Sequence, residues 1–131
     1  MKYEWSSAMS TGVEDIDNEH KTLILWVNRL TEAAEKGKAE AEVQQILSFL
    51  GTYARRHFTH EEECFLKYAC PAGEANRKAH EEFAVHFTKL KDDCLTNGVT
   101  PAKVTHLQQA LGSWLANHIM KVDTALLPCV K

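Results

Sequence analysis

Three short turn signals cut the 131-residue chain into four long segments, and this punctuation limits the fold more than any other feature. They are KGKAE at 36–40, CPAG at 70–73 and TNGVTP at 96–101. In the last, Asn97-Gly98 reads as a helix stop and Pro101 suits a first helical turn. Within each segment the apolar residues recur by threes and fours, the period of a helix, and do not alternate as in a strand. The first segment carries Leu23, Ile24, Val27, Leu30 and Ala34. The second carries Val43, Ile46, Leu47, Leu50, Tyr53 and Ala54. The third carries Phe83, Phe87 and Leu90, and the fourth Val104, Leu107, Leu111, Trp114 and Leu115. The spacing predicts helices over about 17–36, 40–68, 74–96 and 101–123. Short connections make successive helices antiparallel neighbours, so the expected architecture is all-α, an up-down-up-down four-helix bundle. Residues 1–16 are expected as an N-terminal arm anchored by Trp5.

Composition narrows the function. The chain is 44% hydrophobic and 25% charged, with net charge −3. It has no basic patch to follow a phosphate backbone, which argues against nucleic acid. No apolar run approaches the roughly 20 residues that span a bilayer. The first residues lack the apolar core of a signal peptide, so a cytoplasmic location is the expectation. Cys64, Cys70, Cys94 and Cys129 form no C-x-x-C pair and are expected to be reduced thiols.

Helical phase then separates the histidines. A helix turns about 100° per residue, so i and i+4 share a face. His20 lies on the stripe of Leu23, Ile24 and Val27. His57 follows Leu50, Tyr53 and Ala54. His80 precedes Phe83 and Phe87, and His118 follows Leu111, Trp114 and Leu115. Glu61 lies one turn past His57 and can share an ion with it. Glu62 and Glu63 are rotated roughly 140° and 120° from His57 and read as solvated surface, with His60 placed beside them. His86 and His106 fall off the stripes. One histidine on an apolar face is ordinarily a hydrogen-bonded core residue. Four of them, one on each helix, together with an inner glutamate, are not explained by packing, because unpaired buried polar groups are costly. A metal ion would satisfy several at once.

The motifs behind this pattern are GVEDIDNEHKTL (12–23), HFTHEE (57–62), CPAGEANRKAHEEF (70–83) and WLANHIMKVD (114–123). In this order and spacing the sequence resembles the hemerythrins, most closely the single-domain bacterial ones, over nearly all of residues 1–131. The resemblance implies an oxo- or hydroxo-bridged centre of two iron ions. It places one iron on His20 and His57, the other on His80 and His118, with Glu61 and Asp123 bridging. It also implies an oxygen pocket lined by Leu23, Phe58, Leu115 and Ile119. Imidazole and carboxylate donors suit iron, and the same ligands could also take zinc or manganese. Asp123 lies about 140° from His118 on an ideal helix, so it reaches the site only from a loosened last turn. One position departs from the family pattern. Asn76 stands where a histidine four residues before His80 is expected, leaving a weak contact, a water-mediated contact or an open position on that iron.

The function implied by the resemblance is reversible binding of dioxygen, with small anions such as azide as further ligands, in a protein expected to be a monomer without an output domain. The alternative is a di-iron enzyme acting on peroxide or nitric oxide, favoured by the open position at Asn76. A ferritin-like oxidase would need paired E-x-x-H helices; Asp17-x-x-His20 is the nearest approach and occurs once.

Overall fold

Acidic residues crowd the start of the first helix, where the exposed backbone N–H groups favour negative charge. Glu14, Asp15 and Asp17 fill that first turn. Asp17 also accepts hydrogen bonds from the Ser10 hydroxyl and from the Thr11 amide and hydroxyl, each at 2.8 Å. This pins the incoming chain, and the helix begins at Glu14, three residues earlier than expected. The computed structural model describes residues 3–36 and 40–130. It contains α1 (Glu14–Glu35), α2 (Glu40–Lys67), α3 (Gly73–Asn97) and α4 (Pro101–Lys121). A 3-10 turn (Asp123–Leu126) and a short α5 (Leu127–Val130) follow. Residues 37–39 of the expected 36–40 turn, and the side chain of Ala34, lie outside the described residues.

The four long helices form the expected antiparallel four-helix bundle. Helix α1 packs on α2 and α4, α2 on α3, and α3 more sparingly on α4. The apolar stripes meet in one core that includes Leu23, Val27, Leu30, Leu47, Leu50, Leu107, Leu111 and Ile119. A smaller cluster of Ile16, Cys64, Phe65, Cys70 and Leu126 closes one end.

The turns follow from local chemistry. Helix α2 stops because Ala69 adopts a left-handed conformation (φ 48°). Its amide then donates to Leu66 O (3.0 Å) and the Cys70 amide to Phe65 O (2.9 Å), the Schellman arrangement. Helix α3 ends at Gly98, whose φ of 82° needs glycine. Helix α4 starts with Thr100 accepting from the Lys103 amide and Pro101 at the first helical position.

The arm spans residues 3–13 and has two anchors. Trp5 packs against the main core as expected, with Lys21 Nζ 4.4 Å from its ring centroid. The second anchor is Tyr3. Its amide donates to Asn28 Oδ1 (2.9 Å), and Asn28 Nδ2 donates back to the Tyr3 carbonyl (2.8 Å). The Tyr3 ring fills a notch at Gly112, where an added Cβ would lie 2.1 Å from a ring carbon.

The cysteines correct the expectation of four reduced thiols. Cys70 and Cys129 form a disulfide, with Cα atoms 5.6 Å apart and a sequence separation of 59. Cys64 and Cys94 are buried and take no part in a disulfide. The pairing arises because residues 123–130 fold back over the α2–α3 turn. Cysteine spacing and composition carry no trace of that fold-back.

Candidate metal centre

All six residues of the expected ligand set are buried, and they converge on one spot. His20 comes from α1, His57 and Glu61 from α2, His80 from α3 and His118 from α4. Asp123 comes from the 3-10 turn after α4. Two overlapping groups offer ligand atoms within 4.8 Å of one another: His20, His57, Glu61 and Asp123, and Glu61, His80, His118 and Asp123.

The carboxylates divide their oxygens between the two histidine pairs. Glu61 Oε2 lies 2.8 Å from His20 Nε2 and 3.4 Å from His57 Nε2. Glu61 Oε1 lies 3.0 Å from His80 Nε2 and 3.9 Å from His118 Nε2. Asp123 Oδ2 is 3.1 Å from His20 Nε2, and Oδ1 is 2.8 Å from His118 Nε2. Each carboxylate therefore faces both pairs, the arrangement of a bridging ligand. Asp123 reaches the site because α4 ends early. Val122 caps the helix with a stretched φ (φ −114°, ψ −55°), its amide still bonds His118 O, and the chain tightens into the 3-10 turn.

Asn76 is fully buried and turned into the site. Its Nδ2 donates to Glu61 Oε1 (2.8 Å) and to Asp123 Oδ1 (2.9 Å). Both oxygens are those facing His80 and His118. The side chain thus binds the carboxylates of the second pair where a histidine would offer a ring nitrogen.

Two carboxylates outside the expected set hold the histidines from behind. Glu19 Oε1 takes the Nδ1 side of His57 at 2.7 Å, and Glu19 Oε2 takes His60 Nδ1 at 2.7 Å. Glu62 Oε2 lies 3.0 Å from His80 Nδ1. Glu62 and His60 are therefore not the bare solvated surface expected from helical phase, since each makes a defined contact behind the site. Such contacts fix the ring and its tautomer, so that Nε2 is left free to face the cluster. Phe58 stacks on His80 (3.9 Å, 14°) and Trp114 on His118 (4.5 Å, 11°).

Charge follows from this geometry. Burial alone would lower the His20 pKa, but Asp123 and Glu61 outweigh it and raise it to about 9. His118 is raised to about 9 by the same two carboxylates, again against burial. His57 is raised, with burial opposed by Glu19 and Glu61. Burial would raise Glu61, yet His118, His20, His57 and His80 together hold it well below the usual carboxylate range.

Several buried polar atoms lack an aligned hydrogen bond: His118 Nε2, Asp123 Oδ2, Asn76 Oδ1 and His20 Nδ1. Three of them belong to groups directed into the cluster. Buried atoms of this kind are costly unless satisfied. Imidazole and carboxylate are the donors that transition-metal ions accept, so the residues fit a metal centre.

Leu23, Phe58 and Leu115 line a small apolar cavity of about 20 Å³, together with Phe83, Phe87 and Trp114 among others. Ile119, the fourth expected pocket residue, is fully buried in the core but does not line this cavity.

Four helices that deliver four imidazoles and a carboxylate to one buried point, joined there by a second carboxylate from the turn after α4, define a metal-binding four-helix bundle. The family model "Hemerythrin HHE cation binding domain" matches residues 11–130, and the chain belongs to the hemerythrin family. It is 31% identical over 137 residues to a bacteriohemerythrin of Methylococcus capsulatus, covering 96% of this chain and 95% of that protein. It is 28% identical over 134 residues to a bacteriohemerythrin of Pseudomonas aeruginosa, covering 97% of this chain and 80% of that protein. A crystal structure of wild-type hemerythrin superposes with a TM-score of 0.82 at 27% identity, covering 98% of this chain and 97% of that one.

Proposed function

We propose that this chain holds two iron ions, one between His20 and His57 and one between His80 and His118, bridged by Glu61 and Asp123, and that it binds dioxygen reversibly. The observation that carries the reading is the division of the Glu61 and Asp123 oxygens between the two histidine pairs. The iron pair would supply the electrons and open coordination that dioxygen binding requires. The chain supplies the rest. Glu19 and Glu62 orient His57 and His80. Leu23, Phe58 and Leu115 keep the adjoining cavity apolar, which favours a small neutral gas over water. The bacteriohemerythrin relatives support the same reading. We place the protein in the cytoplasm as a monomer.

Metal analysis with a visible spectrum of the aerobic protein tests this. Two irons per chain are expected, with ferric absorption that dithionite bleaches and azide shifts. One metal per chain, or no response to azide, would overturn the paired-iron reading.

Asn76 favours a second reading. Its amide nitrogen bonds the carboxylate oxygens on the His80–His118 side, where a third imidazole would otherwise bind the ion, and this would leave room for a reacting ligand there. A di-iron enzyme acting on peroxide or nitric oxide would turn these over and lose that turnover in His57→Ala. Stoichiometric binding without turnover would leave the oxygen-binding reading standing.

A further inference from the structure

We propose that Cys70 and Cys129 form a thiol-redox site whose state sets how firmly the chain retains the metal held by Asp123. This rests on the reading of Asp123 as a ligand. Asp123 lies outside the four long helices, in a segment that is tied down at few points. Leu126 is fully buried beside Ile16 and Phe65, and the Leu127 and Val130 side chains occupy the space a Cβ on Gly12 would need. The covalent tie is the disulfide, which joins this segment to the turn that ends α2.

The placement of the bridge is what links it to the centre. Cys70 lies six residues before Asn76, and Cys129 lies six residues after Asp123. Asn76 and Asp123 are themselves hydrogen-bonded at 2.9 Å. One side-chain bond at the ion and one covalent bond at the periphery thus close a ring through the same two stretches of chain. Breaking the covalent side leaves Asp123 held by its polar contacts and by the packing of Leu126, Leu127 and Val130.

Cys129 is half-buried and Cys70 buried, so the Cys129 sulfur is the one a reductant meets first. A dithiol attacks Cys129 Sγ, the S–S bond breaks, and Cys70 leaves as a thiolate that takes up a proton. The second thiol of the reductant then displaces Cys129. The dithiol is oxidised to its disulfide, and the protein gains two electrons and two protons as two thiols.

The test uses zinc as a redox-inert probe ion. Zinc-loaded protein, either oxidised or reduced with a phosphine and then desalted without air, is mixed with a coloured chelator and release is timed. Reduction is expected to speed release roughly ten- to a hundredfold, the range for losing support behind a ligand. Cys129→Ser should release quickly in both states, while Cys94→Ser should keep the difference. Hydrogen exchange of residues 122–130 in metal-free protein should quicken on reduction. Equal release and equal exchange in the two states would overturn the proposal. A chain that takes up no metal in either state would overturn the ligand reading and the retention claim with it, while the exchange measurement still reports whether the bridge holds the segment.

Discussion

The buried imidazoles at this site do two jobs that exclude one another. Protonated, His20 and His118 pair with Glu61 and Asp123; neutral, they can bind an ion. Both have folded-state pKa values raised to about 9 from an ordinary 6.5. The stability they add to metal-free protein is therefore complete below about pH 6.5 and lost as the pH rises through 9. Urea melts of metal-free protein should show stability falling by a few kcal/mol across that window, on the order expected for two such groups. Zinc affinity should rise over the same range, as protons cease to compete. A metal-free protein equally stable at pH 6.5 and 9 would contradict the pairing. At Asn76, replacement by alanine removes two hydrogen bonds to buried carboxylates. Such bonds contribute about 1.5–3 kcal/mol each, so Asn76→Ala should destabilise metal-free protein by about 3–6 kcal/mol in urea. The histidines and Glu61 were legible because a ligand pointing inward from one helix leaves its mark in that helix's own period. Glu19 and Glu62 were not, because they act from the helix flanks across to a neighbour. Phase along one helix does not say which flank a neighbour covers. The only hint was adjacency, Glu19 beside His20 and Glu62 beside Glu61.

Elements here stop for reasons that differ in how visible they are. The Asn97-Gly98 stop and the Thr100-Pro101 start use residues with strong backbone preferences, and both lie where the sequence puts them. The end of α2 is set by Ala69, a residue with no preference for the left-handed region it occupies. Ala69→Gly should relieve that conformation and stabilise the protein by up to about 1 kcal/mol, read as a rise in melting temperature. No change, or a loss, would mean that the unfolded chain's added freedom cancels the relief. The C-terminal 3-10 turn and α5 are four residues each, too short to show a period. Their existence was therefore not legible, although the loosened turn needed to bring Asp123 inward was. The disulfide belongs to the same blind spot, since it depends on where that segment lands.

At the scale of the whole molecule, the bundle and its centre are one object. No described helix is long and apolar enough to cross a membrane. The apolar stripes predict the class of fold and also which histidines face inward, so one pattern carries both the bundle and its centre. Metal bound to the folded chain alone should add stability by mass action, roughly 2.7 kcal/mol at a free concentration a hundredfold above Kd. Chelator should remove that increment, measured as a reversible fall in melting temperature.

The donors of the centre run from His20 in the first helix to Asp123 just beyond the fourth. No local stretch of chain holds more than two of them, so an ion finds its full set only after all four helices have met. Metal capture is therefore a late event in folding, and the metal-free chain must reach the bundle on its own packing. In kinetic terms, zinc should leave the refolding rate nearly unchanged and slow unfolding, the pattern of interactions absent from the transition state. Stopped-flow folding with and without zinc would show it, and a marked acceleration of refolding by the metal would mean that part of the site forms early.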